Sequence, residues 1–212
     1  MTHATTRIAV GAAATIALGA GTLLGSGAAG AAPATITWDD GTSHYTRTVS
    51  NTTPTVGETI TISTKFEQKG SADETIDYVA DYHPQCLTYV AKSAKMTDNS
   101  GDHAVENINL MVDDEVISAD FTATSYKMVV KHGGAQSPTF SAQYKVGADC
   151  TKQNGALDTG FNYLSSLGYH TFDTKGPSIT ISKTPGGTAN TGSADGVLAG
   201  LGALLGGFGS SK

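Results

Sequence analysis

The chain of 212 residues contains little charge, two cysteines and one tryptophan. Charged residues make up 15% of it, and acids outnumber bases, so that the formal net charge is −6. No block of lysine or arginine reverses this sign locally. Nucleic acid and anionic lipid headgroups both attract basic surfaces. The composition therefore argues against nucleic acid as a partner, and any contact with lipid would have to be apolar.

Motifs of catalysis and of metal binding are also missing. The histidines are scattered, without an HxH or HExxH arrangement, and no G-x-S-x-G nucleophile elbow occurs. The acidic spacing from Asp98 to Asp102 begins like a calcium loop but lacks the glycine and the final glutamate of such a loop. We therefore expect no catalytic residue, no metal site and no cofactor. A secreted enzyme of an unrecognised type remains an alternative.

The first 31 residues have the three parts of a secretory signal peptide. One basic residue, Arg7, precedes an apolar run over residues 8–25, and small residues end the segment at Ala31. This pattern predicts export and cleavage after Ala31, with a second possible cleavage site after Ala34. A transmembrane anchor is the alternative, but glycines interrupt the apolar run and a cleavage signature ends it.

Cys86 and Cys150 are the two cysteines of the chain. In an exported protein they are expected to form one disulfide. Closing a loop of about 65 residues stabilises a fold by roughly 4 kcal/mol in the chain-entropy model. Metal or thiol chemistry and two unpaired thiols are the alternatives.

Residues 32–184 alternate between short β runs and turn signals. Thr59 to Phe66 shows strict alternation, with Ile60 and Ile62 on the same face as Phe66, which is typical of a half-buried strand. No sustained 3.6-residue period occurs in this region. The pattern predicts an all-β, antiparallel sandwich of about eight to ten strands. The predicted β runs are 35–38, 44–49, 59–66, 75–80, 87–90, 107–112, 116–121, 126–131, 140–146 and 178–182.

Four aromatic residues form a candidate platform for sugar rings: Trp38, Tyr45, Tyr163 and Tyr169. Aromatic side chains in a sandwich serve more often as core than as a binding surface, and this alternative stays open. The segment from Tyr163 to Tyr169 is interpreted as a polar and aromatic loop, and it is the first place to look for a ligand site.

Surface sandwiches sometimes contain an internal bond between a lysine and an asparagine. That chemistry needs a buried lysine beside a carboxylic acid. Lys65 lies on the face opposite Ile60 and Ile62, so we expect it to point to water and form no such bond.

Residues 185–212 differ in character from the rest of the chain. Pro185 to Ser193 has the composition of a flexible linker. An apolar stripe at helical spacing follows, too short to span a bilayer and weakened as a helix by its glycines. The stripe could contact envelope lipid, associate with copies of itself, remain disordered or dock on its own domain. It consists of Val197, Leu198, Leu201, Leu204, Leu205 and Phe208.

Two motifs give the chain a family resemblance. Residues 79–93, VADYHPQCLTYVAKS, resemble the segment V-x-D-x-x-P-x-x-L-x-Y-V-x-x-S of a repeat domain of bacterial cell-surface proteins, known as domain of unknown function family eleven. Residues 51–61, NTTPTVGETIT, resemble the N-x-x-P-x-V-G-D-x-V-x segment of that family. The resemblance covers about residues 48–183. It implies an immunoglobulin-like sandwich outside the cell and no catalytic residues.

The chain departs from that family in having one copy, two cysteines, and His83 where the family usually has leucine. Together these observations predict a signal peptide (1–31), an immunoglobulin-like domain (32–184) and an apolar tail (185–212). The expected function is that of a secreted, non-catalytic interaction or structural module of the bacterial envelope, with a protein or glycan partner. A carbohydrate-binding module for cell-wall or host glycans is the main alternative.

Overall fold

The computed structural model describes residues 32–182, which form two antiparallel sheets packed face to face. The predicted immunoglobulin-like antiparallel sandwich is therefore confirmed. The predicted signal peptide and the predicted apolar tail lie outside the described residues. Within residues 32–182, no helix is both long and apolar enough to cross a membrane.

The first sheet has seven strands in the order β1-β2-β3-β11-β6-β7, with β5 paired to the same edge of β11 as β6. Alternation of buried and half-exposed positions is regular in β2 and β3, as expected for strands with one face on a core. The strands are β1 (Ala34–Asp40), β2 (Ser43–Val49), β3 (Thr59–Gln68), β5 (Leu87–Tyr89), β6 (Lys95–Asp98), β7 (Gly101–Ala104) and β11 (Thr139–Val146).

The second sheet has six strands in the order β13-β12-β4-β9-β8, with β10 paired to the same edge of β4 as β9. Two short 3₁₀ helices, Asn107–Asn109 and Ala148–Lys152, lie in the connections. The strands are β4 (Glu74–Tyr82), β8 (Leu110–Val112), β9 (Val116–Asp120), β10 (Met128–Val130), β12 (Gly160–Ser165) and β13 (Gly168–Phe172).

The strand order explains why the fold is immunoglobulin-like. Strands β2, β3, β11 and β6 follow the A-B-E-D order of that fold, and β13, β12 and β4 follow its G-F-C order. Strands β9 and β8 lie beside β4, where variable-type domains place C′. Here, however, the chain reaches them only after it has built β6 and β7 in the other sheet.

Three sequence predictions of local structure are wrong. The segment from Tyr163 to Tyr169 is the β12–β13 hairpin and not a loop, because β12 pairs along its length with β4. Residues 178–182 form only a bridge between Ile179 and Leu157. Residues 107–109 form a 3₁₀ turn, so the strand there begins at Leu110. Strands β6 and β7 were not predicted, since both are short and the segment Asn99-Ser100-Gly101 at their junction resembles a loop.

A buried ion pair joins the two sheets. Arg47 of β2 is 0% exposed, and its Nη1 donates to Asp81 Oδ1 of β4 at 2.7 Å. The same nitrogen donates to Thr64 Oγ1 at 2.7 Å, and Asp81 Oδ2 accepts from the Tyr144 hydroxyl of β11. Burial raises the pKa of Tyr144 well above its usual value, so this hydroxyl stays a donor. Both charges therefore lie in a fully hydrogen-bonded inter-sheet cluster.

The cation in this core is an arginine, and no lysine is buried between residues 32 and 182. Lys65 points outward as predicted, and its Nζ lies 2.9 Å from Glu67 Oε1. An arginine keeps its proton in proteins and does not serve as the amine of an internal amide bond. In the described domain the inter-sheet link at Arg47 is thus ionic and not covalent.

The predicted disulfide between Cys86 and Cys150 is present, with 5.0 Å between the two Cα atoms. Cys86 lies in the turn between β4 and β5, and Cys150 lies in the 3₁₀ helix after β11. The bridge thus ties two connections together, as the sequence suggested. Gly147 donates its backbone N–H to the Cys86 carbonyl at 3.0 Å, and a side chain at Gly147 would collide with that oxygen.

Replacing both cysteines with serine should lower the free energy of unfolding by about 2–4 kcal/mol, because the unfolded chain regains the entropy of an open loop. Urea denaturation measures this. A reductant should destabilise the native chain to the same extent and leave the double serine variant unchanged. Equal unfolding midpoints for the native chain with and without reductant would contradict the prediction.

Replacing Asp81 with leucine should cost about 3–5 kcal/mol, because Arg47 would remain as an uncompensated buried charge. Adding Arg47→Met to Asp81→Leu should recover part of the loss. Lys95→Met is the matched control, since it removes an exposed ion pair with Asp102 and should leave the urea midpoint unchanged. The prediction fails if Asp81→Leu destabilises the chain no more than Lys95→Met does.

Candidate functional site

Two of the four predicted ligand-facing aromatics lie in the core. Tyr45 and Tyr163 are 1% and 0% exposed, and their hydroxyl oxygens are 2.7 Å apart across the two sheets. Both residues lie on the inward side of their strands. Burial raises the pKa of Tyr45 to about 12. The platform interpretation is therefore corrected for these two residues, because no ligand on the surface reaches their rings.

Trp38 lies at the margin of the sandwich. Its ring centroid is 5.2 Å from that of Tyr45 and 5.4 Å from that of Phe172, so it closes the gap between β1 and β13. The Lys175 ammonium group lies over its ring at 5.1 Å from the centroid. Trp38 is thus a half-buried packing residue with a cation above it, and it does not share a surface with Tyr169.

Tyr169 is the exposed member of the predicted set, with 63% of its surface open to solvent. It lies on the outward side of β13, directly opposite Leu164 of β12, which is 43% exposed. Leu164 in turn lies opposite Tyr78 of β4. The strand register therefore aligns Tyr169, Leu164 and Tyr78 in one row across the outer face of the second sheet.

We call this surface the tyrosine face and define it by Tyr78, Tyr82, Asn162, Leu164 and Tyr169. Tyr78 and Tyr82 are outward positions of β4, four residues apart, and Ala80 lies between them. Sequence reasoning missed both tyrosines. The period-two spacing of residues 78, 80 and 82 was the available signal, because it places all three on one side of a strand.

Asn162 holds the tyrosine face together. Its side chain is outward but only 4% exposed, and Oδ1 accepts the backbone N–H of Phe172 at 2.9 Å. Nδ2 donates to the Tyr169 hydroxyl at 3.1 Å and to the Tyr82 hydroxyl at 3.4 Å. Both amide hydrogens are thereby used. Each tyrosine oxygen accepts one bond and keeps its own proton for an outside acceptor.

Charge around the tyrosine face is acidic. Asp120 of β9 lies opposite Tyr78, and none of the six strands of this sheet contains lysine or arginine. Hydrogen bonds from Thr122 lower the pKa of Asp120, which is therefore an anion at neutral pH. Burial, and then the charge of Asp173, raises the pKa of Tyr82, so that its hydroxyl stays protonated.

Two clefts of the described domain lie elsewhere, at the end that holds the disulfide. One of about 310 Å³ is bordered by Cys86, Glu115, Leu157 and Asp158, and no histidine lines it. A smaller one of about 150 Å³ lies beside Cys150. Neither cleft brings a histidine and a carboxylate together as a hydrolytic site requires.

The acidic turn from Asp98 to Asp102 is part of the β6–β7 hairpin. Asp98 accepts hydrogen bonds from Ser100, and Asp102 accepts from Lys95 and Thr97. These carboxylates are thus occupied by side chains and backbone of the hairpin itself. Across residues 32–182, no group of three or more His, Cys, Asp or Glu side chains is arranged to hold a metal ion.

No protein-family model matches the chain, and no curated protein matches it significantly. The family assignment from the motifs therefore stays a prediction.

A putative membrane-anchored protein from Corynebacterium diphtheriae is 15% identical over 66% of this chain and 34% of that chain, with a TM-score of 0.41. The collagen-binding domain of the Erysipelothrix rhusiopathiae surface protein RspB is 12% identical over 59% and 42%, with a TM-score of 0.37. The T6 backbone pilin of Streptococcus pyogenes is 15% identical over 71% and 35%, with a TM-score of 0.37.

The chain spans less than half the length of each of these three structures. Similarity at this level says nothing about a ligand or an activity. The immunoglobulin-like fold of this chain is instead established by its own strand order.

Proposed function

We propose that this chain is an exported, non-catalytic binding module of the bacterial envelope or extracellular space, and that it contacts its partner through the tyrosine face. The observation that carries the proposal is the solvent exposure of Tyr169 and Leu164 on a sheet face that Asn162 organises. The five residues that define this face present hydroxyls, an amide and apolar surface, which are groups that hold a partner by hydrogen bonding and packing.

The signal-peptide pattern and the disulfide support a location outside the reducing cytosol, since disulfides persist in oxidising compartments. Within this proposal, residues 48–183 are a single copy of the surface repeat domain that the two motifs resemble. A sandwich of two packed sheets suits a binding role, because the core holds β12 and β4 rigidly beneath the tyrosine face.

The apolar stripe from Val197 to Phe208 is proposed as the second point of attachment. It would hold the module near the envelope through lipid contact or through association with other copies. This role is independent of the tyrosine face, so the two attachments are separable by experiment.

Replacing half-buried Tyr78 and exposed Tyr169 together with alanine should weaken binding of the full-length chain to isolated envelope fragments by at least tenfold, because aromatic anchors often contribute more than 1 kcal/mol each. Co-sedimentation in a nonionic detergent measures this while it suppresses lipid contact of the tail. Val56→Ala, an exposed apolar truncation in the turn before β3, is the matched control and should bind normally. Equal sedimentation of all three chains would refute a binding role for the face.

Deleting residues 185–212 should shift the chain from the envelope fraction into the culture medium, because the apolar stripe is removed. Quantitative immunoblotting of the two fractions checks this. Substituting Leu201 and Leu205 with serine in the full chain should reproduce most of the shift. If the deleted and complete chains are released equally, the tail does not retain the protein.

A further inference from the structure

We propose that the tyrosine face is a binding site for a neutral polysaccharide chain, which lies across strands β13, β12 and β4. This inference rests on the proposed binding function and names the class of its ligand. Tyr78, Tyr82 and Tyr169 supply stacking surfaces, and the hydroxyls ordered by Asn162 supply hydrogen bonds.

The side chains of Tyr82 and Tyr169 both extend toward Asn162, on the strand between them. Tyr169 and Tyr82 lie on neighbouring strands on either side of Asn162, yet both hydroxyls reach its Nδ2. The outward-facing side chains of Ala80 and Ser118 are only 5% and 3% exposed, so larger neighbours cover them. A ring in this position buries one face on the sheet and turns the other to solvent. An open aromatic face is the surface on which the C–H groups of a sugar ring stack.

The length of the row favours a chain over a single sugar. Tyr169, Leu164 and Tyr78 lie on three adjacent strands, so that the row extends over two inter-strand spacings, about 10 Å in all. The surface is an open sheet face, and none of its five defining residues borders the two clefts at the disulfide end. A linear ligand fits this shape, because it gains one contact per strand that it crosses.

The hydrogen-bonding groups of the tyrosine face are suited to the hydroxyls of a sugar. The hydroxyls of Tyr82 and Tyr169 each accept from Asn162 and therefore direct their own protons outward. Burial and the charge of Asp173 keep the Tyr82 pKa above its usual value, which preserves this donor. Asp120 at the edge of the row adds a carboxylate acceptor. A sugar hydroxyl both donates and accepts, so it can pair with either kind of group.

The charge of the second sheet favours a neutral polymer over an anionic one. The six strands of this sheet contain no lysine or arginine, and Asp77 and Asp120 lie on or beside the tyrosine face. Phosphate, sulfate or uronate groups would meet repulsion from these carboxylates. The ammonium group of Lys127 donates to the Phe121 and Thr122 carbonyls. Together with the hydrogen bonds from Thr122, it helps to lower the pKa of Asp120, so it offsets part of this repulsion at that edge. A protein partner would use the same aromatic side chains as anchors, and sensitivity to protease would distinguish it from a polysaccharide.

The test measures retardation of the full-length chain in native gels that contain soluble mannan, galactan or β-glucan, with polygalacturonate as the anionic counterpart. At least one neutral polysaccharide should retard the chain, and polygalacturonate should not. Tyr169→Ala and Tyr78→Ala should each weaken this binding about tenfold or more. Tyr82→Phe keeps the ring but loses the hydroxyl, and should weaken it severalfold. Val56→Ala should bind like the native chain.

A second measurement tests the extended shape and controls for folding. Affinity by calorimetry should rise from the monosaccharide to the trisaccharide of the bound polymer and then level off, because the row crosses three strands. Tyr169→Ala should keep the native thermal midpoint, since the side chain is largely exposed.

The outcomes separate this inference from the proposed function. If no neutral polysaccharide binds while envelope binding still depends on Tyr78 and Tyr169, the inference is wrong and the binding module stands. Loss of that envelope binding after protease treatment of the fragments would then identify a protein partner. If the polysaccharide binds equally to the native chain and to all face variants, the site lies elsewhere and the inference is overturned.

Discussion

The buried ion pair between Arg47 and Asp81 is the constraint on which both sheets depend. A guanidinium group keeps its charge in the interior. The two sheets must therefore pack so that Asp81 of β4 faces Arg47 of β2. A slip of β4 by one residue would turn Asp81 to solvent and bring Tyr82 inward, because side chains alternate along a strand. Thr64 and Tyr144 complete the hydrogen bonds that make the buried charges tolerable.

The tyrosine face follows from the same register. Asp81 points into the core from β4, so that its neighbour Tyr82 points out, and Tyr78 shares that side. Strand β12 repeats the arrangement, with Tyr163 inward and Asn162 outward. Core and surface are thus two sides of the same two central strands. This coupling explains how an exposed surface is held in a defined geometry without a pocket around it.

Much of the architecture was predictable from local pattern. Alternation in Thr59–Phe66 predicts β3, and Pro84 predicts the end of the preceding strand, which stops at Tyr82. The β12–β13 hairpin was not predictable, because its serines and glycine resemble a loop, and its strand character comes from pairing with β4. His83 stands where the resembled family has leucine. Its ring is buried against Tyr144, so the position keeps its role in the core.

The sequence by itself determined the disulfide partners, since Cys86 has only Cys150 to pair with, and it determined the sandwich through two-residue periodicity. The tertiary structure alone decided which aromatics are open to a ligand. A strand has two faces, and periodicity separates them without saying which one the opposite sheet will cover. Tyr45 and Tyr163 therefore became core, while Tyr169, distant in sequence from Tyr78 and Tyr82, shares one surface with them through the pairing of three strands.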